Sequence, residues 1–132
     1  MSKEVRADPE AAIYDRLAEQ WPTVDFDEFH QKTLPALLDG GHGGVVAPAL
    51  ADKTPIAFRL EGGQSYTYLV DGQTISIVEG DSNADTVVET TAAAFSDFAN
   101  QLHSAHGLYF AGKIQVPVGF ANTLFEWEPA IR

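Results

Sequence analysis

Between Ile56 and Glu79 the apolar residues recur at every second position, and this period rules out an all-helical chain. Ile56, Phe58 and Leu60 alternate with Ala57, Arg59 and Glu61, while Tyr66, Tyr68 and Val70 share a face of the next run. Successive side chains of a strand point to opposite faces, so a period of two predicts half-buried strands. Gly62-Gly63 turns the first run into the second, over residues 65–70. Asp71-Gly72 then reads as a two-residue hairpin turn, since both residue types tolerate positive φ. Thr74–Glu79 supplies a third strand, completing an antiparallel meander.

The segment 84–116 adds a strand, an amphipathic helix and another strand. Residues 84–90 are rich in Thr and Val, which suit a pleated surface. Thr91 is placed to cap a helix over residues 92–103, although Ala94 supplies no carboxylate for a full capping box. Phe95, Phe98, Ala99 and Leu102 fall at i, i+3, i+4 and i+7, one face of that helix. His106-Gly107 is expected to end it. Residues 108–116 then read as a strand, with Ile114 and Val116 alternating with Lys113 and Gln115.

This order resembles the sterol carrier protein 2 family, whose members pair an Ala-Asp strand opening with a later Phe-x-Gly-Lys-[Leu/Ile]-x-[Val/Ile] strand. The matching residues are Ala84, Asp85, Phe95, Phe98, Leu102, Phe110, Gly112, Lys113, Ile114 and Val116. The resemblance extends from Ile56 to Trp127 and is sharpest over residues 110–116. One departure follows that strand: Pro117-Val118-Gly119-Phe120 stands where the family often has Gly-Asp. The resemblance implies an α+β fold, with a five-stranded, mostly antiparallel sheet in the order 3-2-1-4-5 covered on one face by helices. It also implies an apolar tunnel for fatty acyl chains, acyl-CoA or sterols.

Ahead of the sheet, two helices are expected. Asp8 and Pro9 start the first, with Ile13, Tyr14, Leu17, Ala18 and Trp21 as its buried stripe and Pro22 as its stop. Asp25 caps the second, with Glu28 in the capping-box position and Phe26, Phe29, Thr33, Leu37 and Leu38 on its apolar side. Pro35 cannot donate to the carbonyl of Gln31, which predicts a kink or break there. Residues 39–44 are Gly-rich; they fit neither phosphate-binding spacing and read as a helix-ending loop before a connector to Pro55. We therefore expect one domain over residues 1–132, with 1–50 as a helical extension and connector and 55–132 as the sheet and its covering helices.

A formal net charge of −11 excludes nucleic acid and anionic membrane surfaces as natural partners. No apolar run approaches the roughly 20 residues that span a bilayer, and no signal-peptide core is present. The absence of cysteine excludes a disulfide framework and thiolate chemistry, and is consistent with a reducing, cytoplasmic setting. Asp81, Asn83 and Asp85 open like a calcium loop, but Thr86 and Ala92 stand where that loop needs Gly and Glu. His103 and His106 lack a visible third ligand, and no Gly-x-Ser-x-Gly elbow exists. Neither a catalytic residue, a metal nor a cofactor is expected.

The remaining signal is apolar: Phe95, Phe98, Leu102, Tyr109, Phe110, Phe120, Leu124, Phe125 and Trp127 gather in the last third of the chain. By periodicity alone they are the core of a layered domain. By the resemblance, some of them line a ligand tunnel. Phe120, Leu124, Trp127 and Ile131 form one helical stripe, which is expected to close an end of any such tunnel. Two functions are open: a non-catalytic carrier of an apolar small molecule, or an interaction module that forms a homodimer or serves a partner. The ending Trp127–Arg132 lacks a clear helix stop, as if more chain followed, which would suit an accessory domain of a lipid-modifying enzyme.

Overall fold

A computed structural model describes residues 22–131. The helix expected from Asp8 lies outside the described residues. A helical run over residues 26–42, α1, leads into α2, Gly43–Leu50. The strands β1 Ile56–Leu60, β2 Ser65–Asp71, β3 Thr74–Glu79 and β4 Thr86–Thr90 follow. Helices α3 Ala92–Ala99 and α4 Ala105–Phe110, strand β5 Ile114–Val118 and helix α5 Ala121–Ile131 complete the order. The five strands form one sheet ordered β3-β2-β1-β4-β5. Neighbours are antiparallel except β1 and β4, which run parallel. The α+β class and the strand order implied by the resemblance are both observed.

Register decides what the helices cover. Ile56 lies opposite Tyr68 and Thr86, and Phe58 opposite Tyr66 and Val88, so these side chains share a face. On that face Tyr66 meets Phe26 of α1 at 5.7 Å between ring centroids. Phe58 meets Phe95 of α3 at 6.0 Å, and Tyr68 meets Trp127 of α5 at 6.4 Å. The opposite face carries Arg59 between Asp81 at 3.6 Å and Glu89 at 3.5 Å. In the β2–β3 hairpin Asp71 pairs with Thr74, so the two-residue loop is Gly72-Gln73, one position later than expected. Along β5, Val87 lies opposite Val118 but Glu89 opposite Gln115. Two steps on β4 therefore match three on β5, a bulge at Val116-Pro117 on the edge of the sheet.

Asp25 caps α1 as expected, its carboxylate accepting from the Glu28 N–H at 2.9 Å. Pro35 does not break the helix. The chain widens to a π-helical turn over Phe29–Thr33, and Pro35 falls in the first turn of the α-helical piece Leu34–Leu37, where its missing donor is not needed. That wider turn also moves the buried stripe to Phe26, Phe29, His30, Leu34 and Leu38, leaving Thr33 and Leu37 exposed. The break comes at Gly41, where φ is +118°. The expected loop and connector are instead largely helix α2, which begins at Gly43. A Cβ at Gly43 would collide with the Thr74 side chain, so glycine brings α2 against strand β3.

Thr91 caps α3 as its sequence position predicts, its hydroxyl accepting from the Ala94 N–H at 3.1 Å. The helix stops at Ala99 and not at residue 103. Gln101 N–H donates to the Phe98 carbonyl at 3.0 Å and Leu102 N–H to the Asp97 carbonyl at 2.9 Å, the paired bonds of a Schellman stop. This stop puts Gln101 at φ +62°, a conformation that glycine adopts without penalty. Gln101→Gly is therefore expected to raise stability by about 0.5–1 kcal/mol, read as a higher urea midpoint at unchanged m-value.

The strand expected over residues 108–116 is also corrected. Its first three residues belong to helix α4, and β5 starts only at Ile114. Ser104 nucleates α4 by accepting from the Gly107 N–H at 2.9 Å. Ala105 and Leu108, at i and i+3, are buried, so packing overrides the strand preference of Tyr109-Phe110. His106-Gly107 thus lies inside a helix. A second Schellman stop ends α4, with Gly112 at φ +75° and Lys113 N–H donating to the Leu108 carbonyl at 2.9 Å.

Candidate functional site

Helices α3, α4 and α5 meet the sheet around a small apolar space. Its walls are Phe58, Thr90, Ala94, Phe95, Phe98, Ala105, Leu108, Ile114 and Leu124. Each comes from a different local rule. Phe58 and Thr90 occupy the helix-facing positions of β1 and β4, Ala94, Phe95 and Phe98 form the inner stripe of α3, and Ala105 and Leu108 that of α4. Thr90 is the lone polar side chain, and its hydroxyl is satisfied by donating to the Thr91 carbonyl at 3.0 Å. No charged group lines the space, so it can hold apolar matter only. Its volume is about 10 Å³, close to the least that admits one water. Among the described residues, side-chain packing therefore leaves this space too small for an acyl chain.

The nine residues predicted to form a site are therefore divided. Phe95, Phe98 and Leu124 line the space together. Trp127 is buried behind them against Tyr68, and its indole N–H donates to the Thr54 carbonyl at 2.9 Å. Leu102 is half-buried beyond the end of α3. Tyr109 and Phe125 meet at the seam between α4 and α5, their centroids 6.0 Å apart. Phe110 and Phe120 are 71% and 76% exposed and stand away from the space. The stripe on α5 is buried at Leu124, Trp127 and Ile131, and only its first member, Phe120, is free of the core.

Sequence reasoning missed Phe58, Thr90, Ala94, Ala105, Leu108 and Ile114 as wall residues. Phe58 carried a signal, since its alternation fixes it to the same face as Tyr66 once the hairpin is paired. Ser104 before Ala105 was a second signal, an N-cap type directly after the helix expected over residues 92–103.

A buried polar chain adjoins this space. His30, 2% exposed, stacks on Tyr66 with centroids 4.6 Å apart and planes 1° from parallel. Its Nδ1–H donates to the Phe26 carbonyl at 2.8 Å, which leaves Nε2 to accept from the Tyr68 hydroxyl at 2.5 Å. Burial pushes the His30 pKa down to about 4, against the opposing pull of the Phe26 carbonyl and Asp27. Burial also raises the Tyr68 hydroxyl well above its ordinary value, so both groups are neutral at pH 7. Tyr66 donates to Asp27 at 2.9 Å and accepts from Gln31 at 2.9 Å. Burial is the main cause of its raised pKa. Every hydrogen-bonding position of the imidazole is thus used internally, and the group is a packing element of α1.

Compared by sequence, the chain matches no family model and no curated protein. Compared by structure, it shares the fold of sterol carrier protein 2 domains. The sterol carrier protein 2 from Yarrowia lipolytica superposes over 99% of this chain and 95% of its own, at 16% identity and a TM-score of 0.54. The sterol carrier protein domain 2 of Helicoverpa armigera covers 85% of this chain and 97% of its own, at 13% identity and a TM-score of 0.55. The stereoselective inverting sec-alkylsulfatase Pisa1 from Pseudomonas sp. matches 65% of this chain at 15% identity and a TM-score of 0.54. The present chain spans 14% of that enzyme's length. Among the described residues, no helix is long and apolar enough to cross a membrane.

Proposed function

We propose that the chain is a non-catalytic lipid-binding domain acting in the cytoplasm. It holds a fatty acyl, acyl-CoA or sterol-like molecule between the sheet and helices α3, α4 and α5. Residues 1–132 act as one domain, with 1–50 as the helical extension. The observation that supports this reading is a space walled by eight apolar side chains and one satisfied threonine, set between sheet and helices in a sterol carrier protein 2 fold. Because that space holds about 10 Å³, binding requires the covering helices to move outward, with the ligand selecting the open state.

Native mass spectrometry of protein purified from cells tests the reading. A co-purifying lipid that is released on denaturation is the expected result, and a lipid-free monomer that also refuses added fatty acid would refute it. Incubation with palmitoyl-CoA is expected to give no thioester hydrolysis above the buffer rate, measured by release of free thiol. Turnover would overturn the non-catalytic part of the proposal alone.

One observation favours a second reading, an interaction or accessory domain of a lipid-modifying enzyme. The same fold occurs within the much longer sulfatase chain, and here Phe110 and Phe120 project outward. A clean homodimer without lipid in the same mass spectrum would support that reading.

A further inference from the structure

The helices around the apolar space differ in how they are fastened. Helix α5 is tied down from outside it. Trp127 donates to the Thr54 carbonyl, His42 Nε2–H to the Pro129 carbonyl at 2.7 Å, and Lys53 pairs with Glu126 at 3.4 Å. Helix α3 is tied by the Val24 N–H, which donates to the Ser96 hydroxyl at 2.9 Å, and by Asn100, which donates to the Pro22 carbonyl at 2.9 Å. Helix α4 has six residues, includes Gly107 in its first turn and, among the described residues, meets its neighbours through apolar and ring contacts. Inside, Ala105 and Leu108 close the space; outside, the His106 ring stacks on Phe125 at 4.2 Å and 1°. A left-handed residue stands at each end of this segment, Gln101 before it and Gly112 after it. Short, glycine-containing elements with few polar ties open locally before the rest of a fold does.

We propose that α4 is the gate of the apolar space. It swings away from α5 on the joints at Gln101 and Gly112, parts the His106–Phe125 stack, and admits a chain between Leu108 and Leu124. This inference rests on the lipid-binding reading and adds to it the route. Because no wall residue is charged, the uncharged tail of an amphiphile enters and its head group stays outside the seam. The stripe on α5, expected from sequence to be the moving cover, is in this account the fixed post against which the gate closes.

The natural chain has no cysteine, so a single engineered pair reports cleanly. His106→Cys with Phe125→Cys places thiols at two positions whose rings are stacked at 4.2 Å, and free-thiol titration establishes that the bridge has closed before uptake is measured. Uptake of pyrenedodecanoate is followed by stopped-flow fluorescence in the oxidised and reduced forms, together with hydrogen exchange of the unmodified chain. The oxidised form is expected to take up the probe at least about tenfold more slowly, with full recovery on reduction. The amides of Leu108 and Lys113 are expected to exchange faster than those of α5. Equal uptake by the oxidised and reduced forms overturns the gate and leaves lipid binding intact. So do α4 amides as protected as those of α5. Failure of both forms and of the unmodified chain to bind the probe overturns the lipid reading, and the gate with it.

Discussion

Phe95→Ala is expected to destabilise the chain by about 3–5 kcal/mol, the full range for removing an aromatic ring from a close-packed core. Phe95 is 1% exposed, and its ring lies 5.0 Å from Phe26, 5.3 Å from Phe29, 5.2 Å from His30 and 6.0 Å from Phe58. It therefore joins α1, α3 and the sheet at one point. With only about 10 Å³ of free space beside it, no existing void softens the change. Urea unfolding followed by tryptophan emission measures the loss. A cost below about 1.5 kcal/mol would mean that the aromatic cluster is loosely packed in solution.

Acid is expected to weaken the fold through His30, before most carboxylates titrate. The folded state holds this imidazole neutral down to about pH 4, whereas the unfolded chain takes up the proton near pH 6.5. A depressed folded pKa means that the unfolded state binds more protons between these values, so stability falls as pH falls. The contribution is complete above pH 6.5 and about 3 kcal/mol of it is gone at pH 4. Comparing urea midpoints at pH 7.5 and pH 4.5 in the natural chain and in His30→Gln isolates this term from the carboxylates. The variant is expected to start less stable and to lose less on acidification. Equal losses in both would show that the imidazole is already accessible to protons.

The strand pairing was legible because the large apolar side chains of Ile56, Phe58, Tyr66 and Tyr68 all lie on the helix-covered face, whereas the buried residues between them on the other face, Ala57 and Thr67, are small or polar. The Thr91 cap was legible for a similar reason, since its oxygen answers a local need of the chain within three residues. Helix α4 was hidden because Tyr109 and Phe110 are good strand formers, and only the burial of Ala105 and Leu108 by distant elements decides against them. His30 is one of four histidines in the sequence, and no neighbouring residue marks it out. Its spacing of four from both Phe26 and Leu34 places it on the buried stripe, yet its partner Tyr68 is 38 residues away. Phe95 and Phe110 are the same residue type, one 1% and the other 71% exposed, and no local pattern separates them. The size of the apolar space was equally out of reach, because it depends on how side chains of six elements interlock.

The two borders of the sheet carry a further consequence. At one border Gly43 lets α2 press on β3; at the other, β5 is bent by its bulge and contains Pro117, which has no N–H to offer. The β5 margin therefore offers no straight row of donors and acceptors, and a second strand laid along it would lose its register at the bulge and a partner at Pro117. A protein that docks on this border must read side chains, because the backbone there cannot extend a regular ladder.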